Sequence, residues 1–260
     1  MNPILSRLPK LRTRNLPLVI AGCGVLGLIF RLLITVIGLD GKGLMYPWHF
    51  TWICVWLMTI AAACIVILNV LPIRGPAAYR AAFPRSLYGA IGCALMALTA
   101  VGSLVNHFRT EQVNPLLHWL QGGLYLLAAA AFVLVGLCRL FGKKPTFLFH
   151  VAICVYFALE MLNLYRTWSF DPQLHEYCFQ LFACIALTGM AYQLAAFDMG
   201  RGSHRKLWAF GLTAVYLCCM SASDGVLFIT AAIWAFTNLS NLRRPRQPKI
   251  VEAEETANQE

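Results

Sequence analysis

The chain has 260 residues, of which 59% are hydrophobic and only 12% are charged, and its formal net charge is +10. Ordinary soluble domains carry about 25% charged residues, so this composition excludes a soluble globular protein. The basic residues lie in short clusters between apolar segments, which is typical of membrane topology signals and excludes a continuous nucleic-acid-binding face.

Eight apolar segments follow one another along the chain, most of them long enough to cross a bilayer as a helix. After a basic segment over residues 1–15, they are predicted at residues 16–39, 48–71, 87–107, 116–140, 146–168, 177–197, 207–221 and 226–242. Gly22, Gly24 and Gly27 in the first segment are expected to allow close contact with another helix. The sequence therefore predicts an all-α, polytopic membrane bundle, with one transmembrane domain over residues 16–242 and a disordered cytoplasmic tail over residues 243–260.

The connecting segments predict how these helices are oriented, because short loops rich in Lys and Arg favour the cytoplasmic side. With a cytoplasmic N-terminus, nearly all the basic residues fall inside, and only Lys42, Arg109 and Arg166 fall in outer loops. We therefore expect eight crossings of a cytoplasmic (inner) membrane, with both termini in the cytoplasm. One alternative stays open: segment 207–221 is short and residues 221–225 favour a turn, so the last two segments could form a short or re-entrant hairpin.

Arg31 and Glu160 are the two charged residues deepest within the predicted helices. A charge inside the membrane costs about 2.5–3.5 kcal/mol on insertion scales, so each is expected to have a partner. Both lie about fourteen residues from the cytoplasmic end of an outward-running helix, hence at similar depth at about 1.5 Å per residue. The sequence therefore predicts an Arg31–Glu160 ion pair that makes the first and fifth segments neighbours.

Other polar residues are expected at the same depth, in the outer half of the membrane. Asn163 and Arg166 continue the helix face of Glu160 at three-residue spacing. The predicted substrate-binding residues, which would line a polar pocket open to the outside, are Arg31, Gln121, Glu160, Asn163, Arg166, Gln180 and Asp224. The alternative is structural, in which the ion pair only locks two helices and the amides bond across the bundle.

Neither a metal site nor a cofactor is predicted. Four histidines near outer helix ends could together bind zinc or haem, namely His49, His107, His118 and His175. No HxxxH or HExxH spacing supports this, so interfacial hydrogen bonding is favoured. The ten cysteines lie mostly inside apolar segments and are expected to pack as small apolar residues. No nucleotide-binding or hydrolase motif is present, so no catalytic residue is predicted and a non-enzymatic role is favoured.

The pattern favours binding or transport of a small polar or charged solute through the outer-half site. Two alternatives remain from the sequence: an intramembrane enzyme acting on a lipid or lipid-linked substrate, and a non-catalytic sensor or accessory subunit. The expected partners are membrane lipids and a small solute, with no nucleic acid. The sequence leaves a protein partner or a homo-oligomer open.

Overall fold

A computed structural model of the protein describes residues 15–37, 50–71, 73, 79–109, 115–168 and 174–242. In this part of the chain there are nine α-helices and no strands. The helices are Leu16–Ile37 (α1), Phe50–Val70 (α2), Tyr79–Ala82 (α3), Leu87–Arg109 (α4), Pro115–Phe141 (α5), Phe147–Trp168 (α6), Leu174–Asp198 (α7), His204–Met220 (α8) and Val226–Ser240 (α9). All eight predicted segments are therefore helical, and only the four-residue α3 was not expected. The predicted basic segment and tail lie almost entirely outside the described residues.

Six of these helices are long and apolar enough to cross a membrane, namely α1, α2, α4, α5, α6 and α7. Large apolar side chains such as Leu18, Val36 and Leu98 are 65%, 79% and 69% exposed, as expected where hydrocarbon replaces water. The last two helices have 17 and 15 residues, about 25 and 22 Å at 1.5 Å per residue, against about 30 Å of hydrocarbon. The protein is thus a multi-spanning membrane protein, and the lengths of α8 and α9 favour the short hairpin.

Contacts between helices show that their directions alternate. The end of α7 meets the start of α6, where Asp198 contacts His150. α8 runs parallel to α1, because Gly24 packs on Tyr216 and Arg31, further along α1, contacts the end of α8. α9 then returns to the face from which α1 and α8 start. We call this side the N-terminal face and the opposite side the distal face.

Two glycines explain how closely α1 approaches α8. A Cβ atom on Gly24 would lie 2.7 Å from Cβ of Cys219, and one on Gly27 would lie 2.9 Å from Cγ of Met220. Only residues without a side chain allow this separation. Gly22 has open space around its Cα atom, so the expected close contact is confirmed for Gly24 and Gly27 and is wrong for Gly22.

A layer of aromatic rings fills the core midway along the helices. Phe132 on α5, Tyr156 and Phe157 on α6, and Trp234 on α9 are at most 1% exposed. The centroids of Phe132 and Trp234 are 5.9 Å apart and those of Phe157 and Trp234 are 5.6 Å apart. Such pairs contribute about 0.5–1.5 kcal/mol each beyond burial. This ring layer separates the polar residues near the distal face from those near the N-terminal face.

Candidate functional site

The carboxylate that pairs with Arg31 belongs to Asp224, not to Glu160. Nη1 of Arg31 lies 2.5 Å from Oδ2 of Asp224 and donates to the carbonyl oxygen of Met220 at 3.3 Å. The two side chains are only 10% and 17% exposed. The predicted Arg31–Glu160 ion pair is therefore wrong. The predicted contact between the first and fifth segments is wrong too, because α1 packs mainly on α2 and α8.

The reason for the error is that depth alone does not decide which helices are neighbours. The short helices α8 and α9 place the turn between them beside Arg31, so Asp224 meets the guanidinium there. The last carbonyl groups of a helix lack intrahelical partners and carry partial negative charge, which also favours a cation beside Met220. Arg31 and Asp224 thus clamp α1 to the tip of the hairpin.

Three of the predicted binding residues line one cavity near the distal face. Gln121 on α5 and Asn163 and Arg166 on α6 surround it together with His107 and Thr167. The cavity has a volume of about 360 Å³. Gln121 is buried, whereas Arg166 and Thr167 are exposed at the opening. We call this space the distal cavity.

Glu160 lies one helical turn deeper than Asn163 on α6. Between them, Nδ2 of Asn163 donates a hydrogen bond of 2.8 Å to the hydroxyl of Tyr125. The hydroxyl groups of Ser103, Tyr125 and Tyr156 lie near the Glu160 carboxylate. Oε1 nevertheless has no partner at hydrogen-bonding geometry among the described residues, and it is shielded from solvent. An unused acceptor therefore lies directly beneath the cavity.

The remaining predicted binding residues do not line the distal cavity. Gln180 is buried in α7 at 5% exposure, and Arg31 and Asp224 form the clamp. The structure therefore separates the predicted binding residues into the Arg31–Asp224 clamp, the distal cavity with Glu160 beneath it, and Gln180 within α7.

His107 was missed as a cavity residue. Its Nε2 donates to the carbonyl oxygen of His118 at 2.9 Å, and the two imidazoles stack with centroids 4.2 Å apart. The sequence placed both histidines at outer helix ends and indicated interfacial hydrogen bonding there. The structure confirms such a bond for His107 and adds that its side chain lines the cavity.

A second group of buried polar side chains lies near the N-terminal face. Nδ1 of His150 is 2.5 Å from Oδ2 of Asp198, and neither side chain is exposed. Nη2 of Arg139 donates to Oδ1 of Asn238 at 2.9 Å. The guanidinium carbon also lies 4.0 Å from the centre of the Phe83 ring, a cation–π contact. Four helices, α5, α6, α7 and α9, therefore bring polar groups to this point.

Tyr79 on α3 packs against these groups from the loop between α2 and α4. Its ring centre is 5.4 Å from the guanidinium carbon of Arg139. Burial raises the pKa of Tyr79 to about 12; the positive charge of Arg139 opposes this and the negative charge of Asp198 adds to it. The charges of Arg139 and Asp198 therefore both act on the hydroxyl of Tyr79. We call Tyr79, Arg139, His150, Asp198 and Asn238 the proximal cluster.

Several polar atoms of the proximal cluster have no hydrogen-bond partner among the described residues. They are Nε and Nη1 of Arg139, the hydroxyl of Tyr79, Nε2 of His150 and Oδ1 of Asp198. Nearly all buried polar groups in proteins are paired, and an unpaired one costs about 1–3 kcal/mol. The proximal cluster therefore has unused donors and acceptors together in a buried position.

Little in the sequence pattern indicates this cluster. Arg139 is the second-last residue of the apolar segment 116–140, and the charge pattern predicts it on the cytoplasmic side, but it is only 2% exposed. Asp198 directly follows segment 177–197. A charge at the end of a segment normally reaches water, so burial here could be predicted only from the neighbours of each helix.

An apolar groove lies between α2, α7 and α8. Its volume is about 470 Å³, and its walls include Trp56, Phe179, Phe182 and Phe210. Trp56 and Phe182 are 50% and 53% exposed, so the groove opens on the outer surface of the bundle. It shares no lining residue with the distal cavity.

Within the described residues, His, Cys, Asp and Glu form no group of three or more that could hold a metal ion. His49 lies outside these residues. Comparison with protein-family models, with curated proteins and with solved structures gave no match.

Proposed function

We propose that the protein binds a small polar solute in the distal cavity and transports it across the membrane through the bundle of α4, α5, α6 and α9. The observation that carries this proposal is the convergence of polar side chains from three helices on a space of about 360 Å³. Ligand sites usually enclose about 300–1,000 Å³ and contain a few convergent polar groups. This cavity has that size, and polar side chains converge on it.

The cost of polar residues in a membrane supports a functional role. Glu160 and Asn163 lie on a helix apolar enough to cross the bilayer, where an ionisable residue is expensive unless it serves a purpose. If Glu160 only held helices together, both of its carboxylate oxygens should accept hydrogen bonds. Oε1 of Glu160, however, has no hydrogen-bond partner in the described part of the chain. A solute in the cavity, or water leading to it, would supply that partner.

The ring layer supports transport over simple binding. Along α5 the order is Gln121, Phe132, Arg139, so packed rings lie between the distal cavity and the proximal cluster. A cavity open at one face and closed by packed side chains towards the other is the arrangement expected of one state of an alternating-access transporter. Passage would require the rings to separate while the distal opening closes.

The apolar groove favours a second candidate, an enzyme acting on a lipid. An apolar chain would fit between Trp56 and Phe182 at the lipid-facing surface. This candidate predicts product formation by the purified protein in detergent without any gradient. Transport predicts solute movement only in sealed vesicles.

The direct test is the accessibility of the cavity to water. Asn163→Cys places a thiol in the cavity, and Leu162→Cys places one on the neighbouring position, whose side chain is 54% exposed on the bundle surface. A permanently charged methanethiosulfonate reagent, added to sealed vesicles, should modify Asn163→Cys from the distal side and leave Leu162→Cys unmodified. Equal labelling of both, or of neither, would remove the proposed site.

A further inference from the structure

The distal cavity, taken together with Glu160 and Tyr125 beneath it, contains the same kinds of functional group as the proximal cluster. Both ends contain a guanidinium, a carboxylate, an imidazole and a phenol, with carboxamides from Gln121 and Asn163 at the distal end and from Asn238 at the other. At the distal end these are Arg166, Glu160, Gln121, Asn163, His107 and Tyr125, and at the N-terminal face they are Arg139, Asp198, Asn238, His150 and Tyr79. The ring layer lies between the two sets.

At the N-terminal face, groups able to bind opposite charges lie near each other, since Arg139 and Asp198 both act on Tyr79. In the proximal cluster, two guanidinium nitrogens of Arg139 and one carboxylate oxygen of Asp198 have no partner among the described residues. A solute with only an anionic group would pair with the Arg139 nitrogens alone, and one with only a cationic group would pair with the Asp198 oxygen alone. A solute with an anionic and a cationic group would pair with Arg139 and with Asp198.

We propose that the proximal cluster is the second half-site of the transport route, and that the solute is a small zwitterion with one anionic and one cationic group. This inference rests on the proposed transport function. In the structure the distal half-site is open, and the proximal one is closed around its own side chains. The anionic group binds to Arg166 and then to Arg139, while the cationic group binds to Glu160 and then to Asp198.

Burial explains why the proximal half-site needs a pair of charges. A zwitterion entering the bundle loses the water around two charged groups, and each must be replaced by a fixed charge or dipole. Arg139 is 2% exposed and Asp198 is 3% exposed. Their charges are therefore screened little by water, so they can compensate the two charges of a bound zwitterion.

The test follows thiol accessibility at both ends of the route. Asn163→Cys reports on the distal cavity, and Asn238→Cys reports on the proximal cluster. Because Asn238 accepts a hydrogen bond from Arg139, two further reporters keep the test valid if that variant does not fold. One is Ser86→Cys, whose backbone N–H donates to the carbonyl oxygen of Arg139 at 3.3 Å. The other is the native Cys138, which is half-buried beside Arg139.

Sealed vesicles of both orientations would be treated with the charged methanethiosulfonate reagent, and labelling would be located by peptide mass spectrometry. The probes are amino acids, glycine betaine and taurine, each compared with an analogue that has one charge; alanine, for example, is compared with propionate and ethylamine. Cys64, exposed on the surface of α2, controls for reagent that enters the bilayer.

We expect distal labelling from one side and proximal labelling from the other. At least one zwitterion should abolish distal labelling and change proximal labelling, and its one-charge analogues should do neither. If the distal thiol reacts but all three proximal reporters stay unreactive, the proximal half-site is overturned while the distal binding site stands. If one-charge analogues protect as well as zwitterions, the solute class is overturned. If the distal thiol does not react, the proposed function itself fails.

Discussion

Arg31 on α1 is joined to Asp224 at the tip of the α8–α9 hairpin, although 193 positions separate the two residues in the chain. The contact connects a long membrane helix to two short ones. Because α8 ends at Met220 beside Arg31, the tip stays level with Arg31, inside the length of α1. The clamp therefore fixes how far the hairpin extends towards the distal face.

The first prediction concerns this clamp. Arg31→Gln and Asp224→Asn should each lower the free energy of unfolding, because each removes the attraction between two mostly buried charges. The loss in the double variant should be smaller than the sum of the single losses by about 0.5–3 kcal/mol, as found for residues in contact. Unfolding in mixed detergent measures these values. Arg85→Gln, at an exposed position, is the control, and strictly additive losses would contradict the clamp.

The second prediction compares two glycines on one helix. Gly24→Ala should destabilise the protein by about 1–3 kcal/mol, because the new methyl group would lie 2.8 Å from the carbonyl oxygen of Tyr216. Gly22→Ala has open space around it and should be neutral or stabilising by up to about 1 kcal/mol, since alanine favours helix. Thermal unfolding midpoints of the two variants measure the difference. Equal midpoints would show that α1 and α8 are not in close contact.

The third prediction concerns the His150–Asp198 pair, which is completely buried. Asp198→Ala should cost about 3–5 kcal/mol, because it leaves the imidazole buried without its carboxylate. Asp198→Asn should cost less, since the amide oxygen can still accept a hydrogen bond from Nδ1 of His150. Lys144→Ala, at an exposed position near the same face, is the control. The order of the two Asp198 variants in thermal unfolding is the decisive result, and a reversed order would rule out the hydrogen bond.

The fourth prediction concerns pH. The pKa of Tyr79 is raised to about 12 in the folded protein, against about 10 in the unfolded chain. The folded state therefore holds this proton longer, and the stabilisation is complete below about pH 10 and lost as pH rises through about 12. Over this interval the wild type should lose up to about 1.4 kcal/mol per pH unit relative to Tyr79→Phe.

The measurement is the unfolding midpoint of both proteins between pH 8 and pH 12, in steps of about half a unit. Tyr88→Phe removes a hydroxyl from a ring that is 70% exposed and controls for loss of any tyrosine. Parallel curves for wild type and Tyr79→Phe would show that Tyr79 is not buried beside Asp198.

Much of the fold could be predicted from the sequence, for a reason specific to membranes. A segment in hydrocarbon must satisfy its own backbone hydrogen bonds, so an apolar segment of sufficient length is almost always a helix. The short segment 207–221 and its turn residues left a short hairpin open as an alternative to two crossings, and α8 and α9 have 17 and 15 residues. By contrast, α3 has four residues, which is too few to show the helical repeat of apolar residues.

The candidate site was predictable where it depends on one helix. Asn163 follows Glu160, and Arg166 follows Asn163, at three-residue spacing, so helical geometry alone puts each residue beside the next. The partner of Arg31 depends instead on which helices touch. Depth pointed to Glu160, whereas the packing of α1 on α8 brings Asp224 to the guanidinium.

The ring layer also has an electrical consequence. Phe132, Tyr156, Phe157 and Trp234 bear no formal charge, and packed rings respond to a field much less than water does. If water reaches the distal cavity, most of the membrane voltage falls across the remaining thickness of the bundle. A charge moving only from Glu160 towards His150, about 15 Å along α6, would then experience most of the about 2.3 kcal/mol that 100 mV exerts on an elementary charge.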